Sequence, residues 1–134
     1  MNGKIRLAFL LLIILQAIHS AEEFICGFYE QFPPMRLLYQ ASPHLAKPAF
    51  AISNVLLVCA GLACFYHWVQ PMREGAKTII RVWITIESIN VIAHVVWAMI
   101  ISGYNPGLAT VILFVPVLIY LSYLMKHVST RGVT

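Results

Sequence analysis

Two short sets of residues in this chain have the types and spacing to do chemistry. In His19-Ser20-Ala21-Glu22-Glu23, two glutamates follow a histidine by three and four residues, so on a helix both flank it on one face. Glu87, Asn90 and His94 stand at i, i+3 and i+7, which again is one helix face. Histidine and glutamate at such spacing on facing helices is how helical bundles hold divalent metals. The same groups can exchange protons with a substrate without any metal. Within this pattern His19, Glu23 and His94 are the candidate ligands of a divalent ion such as zinc, iron or manganese. Glu87 and Glu22 are the candidate acids or bases, and Asn90 and Asn54 the amides that orient them.

These groups sit in an apolar setting. Of 134 residues 60% are hydrophobic and only 10% charged, where a soluble domain has roughly 45–50% and 25%. Mean hydropathy is +0.82. That excludes a water-soluble globule. The net charge of +4 does not point to nucleic acid, because the Lys and Arg residues are scattered singly between apolar runs instead of gathered on a stripe. Cys26, Cys59 and Cys64 read as small apolar residues, since three cysteines at this spacing build no disulfide framework.

A membrane-crossing helix needs about 20 mostly apolar residues, and four runs qualify: about 5–23, 48–69, 78–102 and 106–125. The expected fold is therefore all-α, an integral-membrane four-helix bundle forming one membrane domain over 1–134. Pro48 and the pair Asn105-Pro106 read as helix starts, the latter as an Asn cap followed by Pro in the first helical position. Pro116 should kink the fourth span. With the N-terminus inside, Lys4, Arg6, Arg73, Lys77, Arg81, Lys126 and Arg131 lie on the cytoplasmic side against Arg36 and Lys47 outside. That bias predicts an N-in, C-in protein of the inner (plasma) membrane.

Spans one and three then run in the same direction. At 1.5 Å per residue His19 and His94 lie level, roughly 20 and 23 Å from the inner ends of their spans, with Asn54 of span two near the same height and Glu87 one to two turns deeper. An ionisable group at mid-membrane costs about 2.5–3.5 kcal/mol on insertion scales. Turning the two polar faces toward each other removes that cost and gathers the set at one point. The expected function is a metal-assisted or acid-base enzyme acting on a lipid or other apolar small molecule, with membrane lipids as surroundings, no nucleic-acid partner and self-association into a homo-oligomer. A proton- or metal-linked transporter subunit is the alternative, and an accessory protein without its own chemistry a third. In the plainest reading Glu22 and Glu23 sit at headgroups while Glu87 and His94 only bond neighbouring helices.

Lys4, Arg6, the apolar stretch and Ser20-Ala21 also resemble a secretory signal peptide, but Ile18 or His19 would occupy the position three before the cut, where a small residue is needed. The motif His19-Ser-Ala-Glu22-Glu23, Asn54-Val55-Leu56-Leu57, the Asn90 to His94 element, and Tyr104 to Gly107 followed by Thr110 and Pro116 together carry a family likeness. The chain resembles the bacterial HXXEE-domain membrane proteins over roughly residues 7–123. The resemblance implies four spans and a retained first helix, because cleavage near Ala21 would part His19 from its glutamates. It supplies no reaction, since the family has no established activity.

Overall fold

The computed structural model describes residues 2–130 and is built of helices. Arg131, counted above among the inner-side cations, lies outside the described residues. Helices α1 (Asn2–Ile25), α2 (Phe28–Gln31), α3 (Pro33–Ala41) and α4 (Pro43–Cys64) come first; a π-helical turn, Phe65–Val69, extends α4. Then follow α5 (Ala76–Ile101) and α6 (Leu108–Thr130). Among the described residues four helical stretches are long and apolar enough to cross a membrane: Gly3–Ile25, His44–Val69, Ala76–Ile101 and Leu108–His127. Helices are the form expected there, because lipid offers no partner to a free N–H or C=O.

Two of the expected helix starts are corrected. The second span begins at Pro43 behind Ser42, and Pro48 falls inside α4. Leu45 and Ala46 bond back to the Ser42 carbonyl, so the helix is already under way when it meets Pro48. The missing N–H there costs one bond near the helix end, a milder defect than in mid-span. Nor does Asn105-Pro106 open the fourth span. The helix starts at Leu108, after Gly107 turns the chain at φ 95°. Asn105 is instead fully buried. Through Pro116 α6 runs on as one helix to Thr130.

The first helix is the hub, packed between α4 on one side and α6 on the other, with α5 beyond α6. Half of its most apolar window is buried, against 17% for the α4 span and 11% for α5. Ile5, Phe9, Leu12 and Ile13 meet Val111, Phe114 and Leu121 of α6 and Ile80 and Trp83 of α5 in one apolar core. The outward faces of α4 and α5 present Val55, Leu56, Ile89, Ile92 and Ile100, as lipid-facing positions should. Gly61 lets α1 and α4 close on each other: a Cβ there would come within 2.6 Å of the Ile13 side chain.

Among the described residues α4 and α5 scarcely touch each other directly. At one end the π-helical turn joins them. At the other, Phe28 of α2 reaches Phe50 of α4 and Trp97 of α5, both with ring centroids 5.6 Å away. Between these two closures the side of the bundle is open.

Candidate metal centre

The packing of α1, α5 and the start of α6 brings His19, Glu23 and His94 together. Both imidazoles and the carboxylate are buried, and each offers one donor atom to a group lying within 4.8 Å of one another. The Glu23 Oε1 oxygen is 3.5 Å from His19 Nε2 and 3.3 Å from His94 Nε2. The two rings stand edge to face with centroids 4.9 Å apart.

The far nitrogen of each ring decides what the near one can do. Asn105 donates from Nδ2 to the His94 carbonyl at 2.9 Å, which orients its amide so that Oδ1 faces His94 Nδ1 at 2.8 Å. A carbonyl oxygen only accepts, so Nδ1 of His94 carries the hydrogen. The Thr110 hydroxyl lies 2.9 Å from His19 Nδ1 and gives its own proton to Glu22 Oε2 at 2.5 Å. It is left to accept, and His19 Nδ1 also carries the hydrogen. In its neutral form each ring turns a lone pair at Nε2 toward a carboxylate oxygen, so either a proton or a metal ion between them completes the arrangement. His19 Nε2 is buried without a hydrogen-bond partner among the described residues, its nearest charged group being Glu23 at 3.5 Å. Protein histidine ligands of metals are held in this manner, with the second nitrogen tied to an oxygen acceptor.

The distances from Glu23 to the two rings also fit. Two bonds of about 2.0–2.1 Å opened to the tetrahedral angle put their donor atoms roughly 3.3–3.4 Å apart, and the two measured separations from Glu23 are 3.3 and 3.5 Å. Two histidines and one glutamate leave at least one coordination position for another ligand.

The two adjacent glutamates diverge. Glu22, expected among the catalytic groups, faces the first turn of α6 and accepts from the Tyr104 hydroxyl, the backbone N–H groups of Gly107, Ala109 and Thr110, and the Thr110 hydroxyl. It does the work that Asn105 was expected to do, satisfying the free N–H groups of the helix start with a negative charge. Its two oxygens are taken up by these five hydrogen bonds, which tie the end of α1 to the start of α6. Desolvation, followed by the hydrogen bond to Glu22, holds the Tyr104 phenol above the ordinary tyrosine range, which keeps it a donor.

Gly107 sits against the centre. A Cβ there would approach Cε1 of both His19 and His94 to 2.6 Å, so only glycine lets the chain turn while the rings converge. Phe28 covers the other side, its ring 5.6 Å from that of His94.

The remaining candidates line a cleft of about 340 Å³ between α1, α4 and α5, to which Gln16, Glu23, Asn54, Glu87 and Asn90 all contribute. Glu87 is 1% exposed. The Gln16 amide satisfies its neighbours when its nitrogen faces Glu87, 3.1 and 3.0 Å from the two oxygens, with its oxygen 3.1 Å from Ser20 Oγ. Ser20 Oγ lies 2.8 Å from Asn54 Oδ1. Sequence reasoning missed Gln16, although a lone amide in the apolar run from Leu7 to Ala21 was a usable signal. It also gave Asn105, Gly107 and Thr110 no part in the site.

A family model described as a protein of unknown function with HXXEE motif matches residues 10–121. No curated protein and no solved structure matches the chain.

Proposed function

This chain belongs to the HXXEE-motif family, and we propose that it is a multi-pass inner-membrane enzyme acting on a lipid or other apolar small molecule at a centre formed by His19, Glu23 and His94. The observation that carries this reading is the convergence of two Nδ1-protonated histidines on one buried carboxylate oxygen. A structural ion is enclosed by its ligands, whereas here the protein supplies three and leaves room for a fourth. Glu23 belongs both to the centre and to the lateral cleft, while His19 and His94 do not line the cleft, so a molecule entering from the side would meet the centre at Glu23.

A divalent ion held here would act as a Lewis acid on an oxygen of the substrate. Two histidines and a carboxylate suit zinc and iron alike. The protein's own groups supply the rest. Thr110 and Asn105 fix the tautomers and orientations of the two rings. Glu87, buried in the wall of the same cleft and bracketed by Gln16, holds or accepts a proton at its carboxyl oxygens. Asn54 and Asn90, on opposite walls, orient the reacting molecule. The seven-to-two bias of basic residues supports placing both termini on the cytoplasmic side.

Metal analysis tests the reading. Protein purified without chelators is expected to hold about one equivalent of a transition metal, and the single substitutions His19→Ala and His94→Ala to lose it while helicity is retained. A content below about a tenth of an equivalent that does not rise on titration with zinc, iron or manganese would overturn the assignment.

A further inference from the structure

The opening between α4 and α5 has a composition that selects what can enter it. Its inner wall carries two carboxylates, Glu23 and Glu87, and three amides, Gln16, Asn54 and Asn90; among the described residues no Lys or Arg lines it. Its mouth is apolar: Ile86 and Ile89 are 41% and 63% exposed on the outer face of α5, and Leu57 faces them from α4. Polar groups exposed to hydrocarbon are costly unless something meets their hydrogen-bonding capacity. Phe28 closes the top of the opening and the π-helical turn the bottom, so the free approach is sideways, from the acyl-chain region.

The volume and the charge narrow the ligand. About 340 Å³ is at the small end of the roughly 300–1,000 Å³ of small-molecule sites. It holds a head group, and a chain attached to that group would stay among the lipids. Without a metal the wall is acidic. With a divalent ion bound, Glu23 and the ionised form of Glu87 would together offset its charge. Apart from such an ion, no cation among the described residues lines the cleft to hold a phosphate or a carboxylate, and Glu87 in its wall opposes their approach.

We infer that the α4/α5 cleft binds the polar end of a neutral or cationic amphiphile, such as a long-chain alcohol, amide or amine, which enters laterally from the bilayer. The two carboxylates of the wall, with no Lys or Arg beside them among the described residues, disfavour anionic lipids. The inference rests on the reading of His19, Glu23 and His94 as the reacting centre, for which it names the substrate class.

Photoreactive hexadecyl probes that differ only in head group provide the test. Full-length protein in lipid nanodiscs is labelled with the alcohol, the amine, the carboxylate and the phosphate, with and without chelator, and the labelled residues are mapped by mass spectrometry. The alcohol or amine should label Leu57, Ile86 or Ile89 at least tenfold more than the two anionic probes and be displaced by the unmodified compound. Asn90→Leu, which removes a polar wall group, and Ile89→Trp, which fills the mouth, should each lower that labelling at least fivefold. Labelling of Ile112 on the lipid-exposed side of α6 should stay unchanged. Equal labelling by all four probes, labelling that excess compound does not displace, or insensitivity to both variants overturns the inference. Selective labelling of protein that holds no metal as purified without chelator and gains none on titration would uphold the inference and sink the metal centre. Metal-loaded protein without selective labelling would do the opposite.

Discussion

At the scale of single residues, the chemistry depends on which nitrogen of each imidazole is free. His19 and His94 differ in helix, in sequence context and in the partner of Nδ1, a threonine hydroxyl for one and an asparagine carbonyl for the other. Both end with Nε2 directed at the same carboxylate oxygen. Such partners one step behind the ligands commonly account for 10–100-fold in metal affinity. Asn105→Ala and Thr110→Val should therefore each weaken zinc binding by about 10–100-fold while all three ligands remain, measured by competition with a chromophoric chelator. Affinity unchanged in both variants would mean that the rings are oriented by packing alone.

At the scale of elements, the decisive feature is the junction between α5 and α6, where three residues after the αL turn at Ser102 each do separate work. Tyr104 and the first turn of α6 bind Glu22, Asn105 locks His94, and Gly107 clears space for both rings. Gly107→Ala adds a methyl group where φ is 95° and two imidazole carbons stand 2.6 Å away. Left-handed strain and overpacking each cost about 1–3 kcal/mol. The variant is expected to unfold earlier in a thermal or denaturant titration and to lose metal, because the rings must separate to admit the methyl group. The element boundaries show how local signals compete with tertiary ones. Asn105-Pro106 has the composition of a helix start, yet a carboxylate from another helix served the free N–H groups better and released Asn105 to bind a histidine. Pro48 looked like a helix start because its missing N–H is harmless there, but Pro43 had already filled that role.

For the whole molecule, burial is concentrated in α1 and α6 and exposure in α4 and α5, which is an arrangement for a chain bathed in lipid on its outer helices. The core and the centre both require α1, since it contributes Phe9, Leu12 and Ile13 to one and His19 and Glu23 to the other. The same alternation of helices puts Lys4, Arg6, Lys77, Arg81 and Lys126 at one end of the bundle. A reporter fused after Thr134 is expected to read as cytoplasmic, and a cysteine placed at Lys47 to react with an impermeant maleimide added outside intact cells. The reverse pattern would invert the protein while leaving the centre where it is.

Four spans and the helix faces that carry His19, Glu23, Glu87, Asn90 and His94 were already legible in the order of residues, because a 30 Å hydrocarbon layer and a 3.6-residue period impose their own spacing on any chain that crosses it. At that level the two glutamates of the motif were neighbours on one face, given different roles with no geometry to part them. Only the tertiary structure separated them, sending Glu22 to the start of α6 and Glu23 to the histidines, since a difference of about 100° around the helix axis matters only once other helices stand on either side. It likewise decided that α4 and α5 part to leave a polar cleft, because which helices pack together depends on side-chain fit between distant segments, and no local pattern records that.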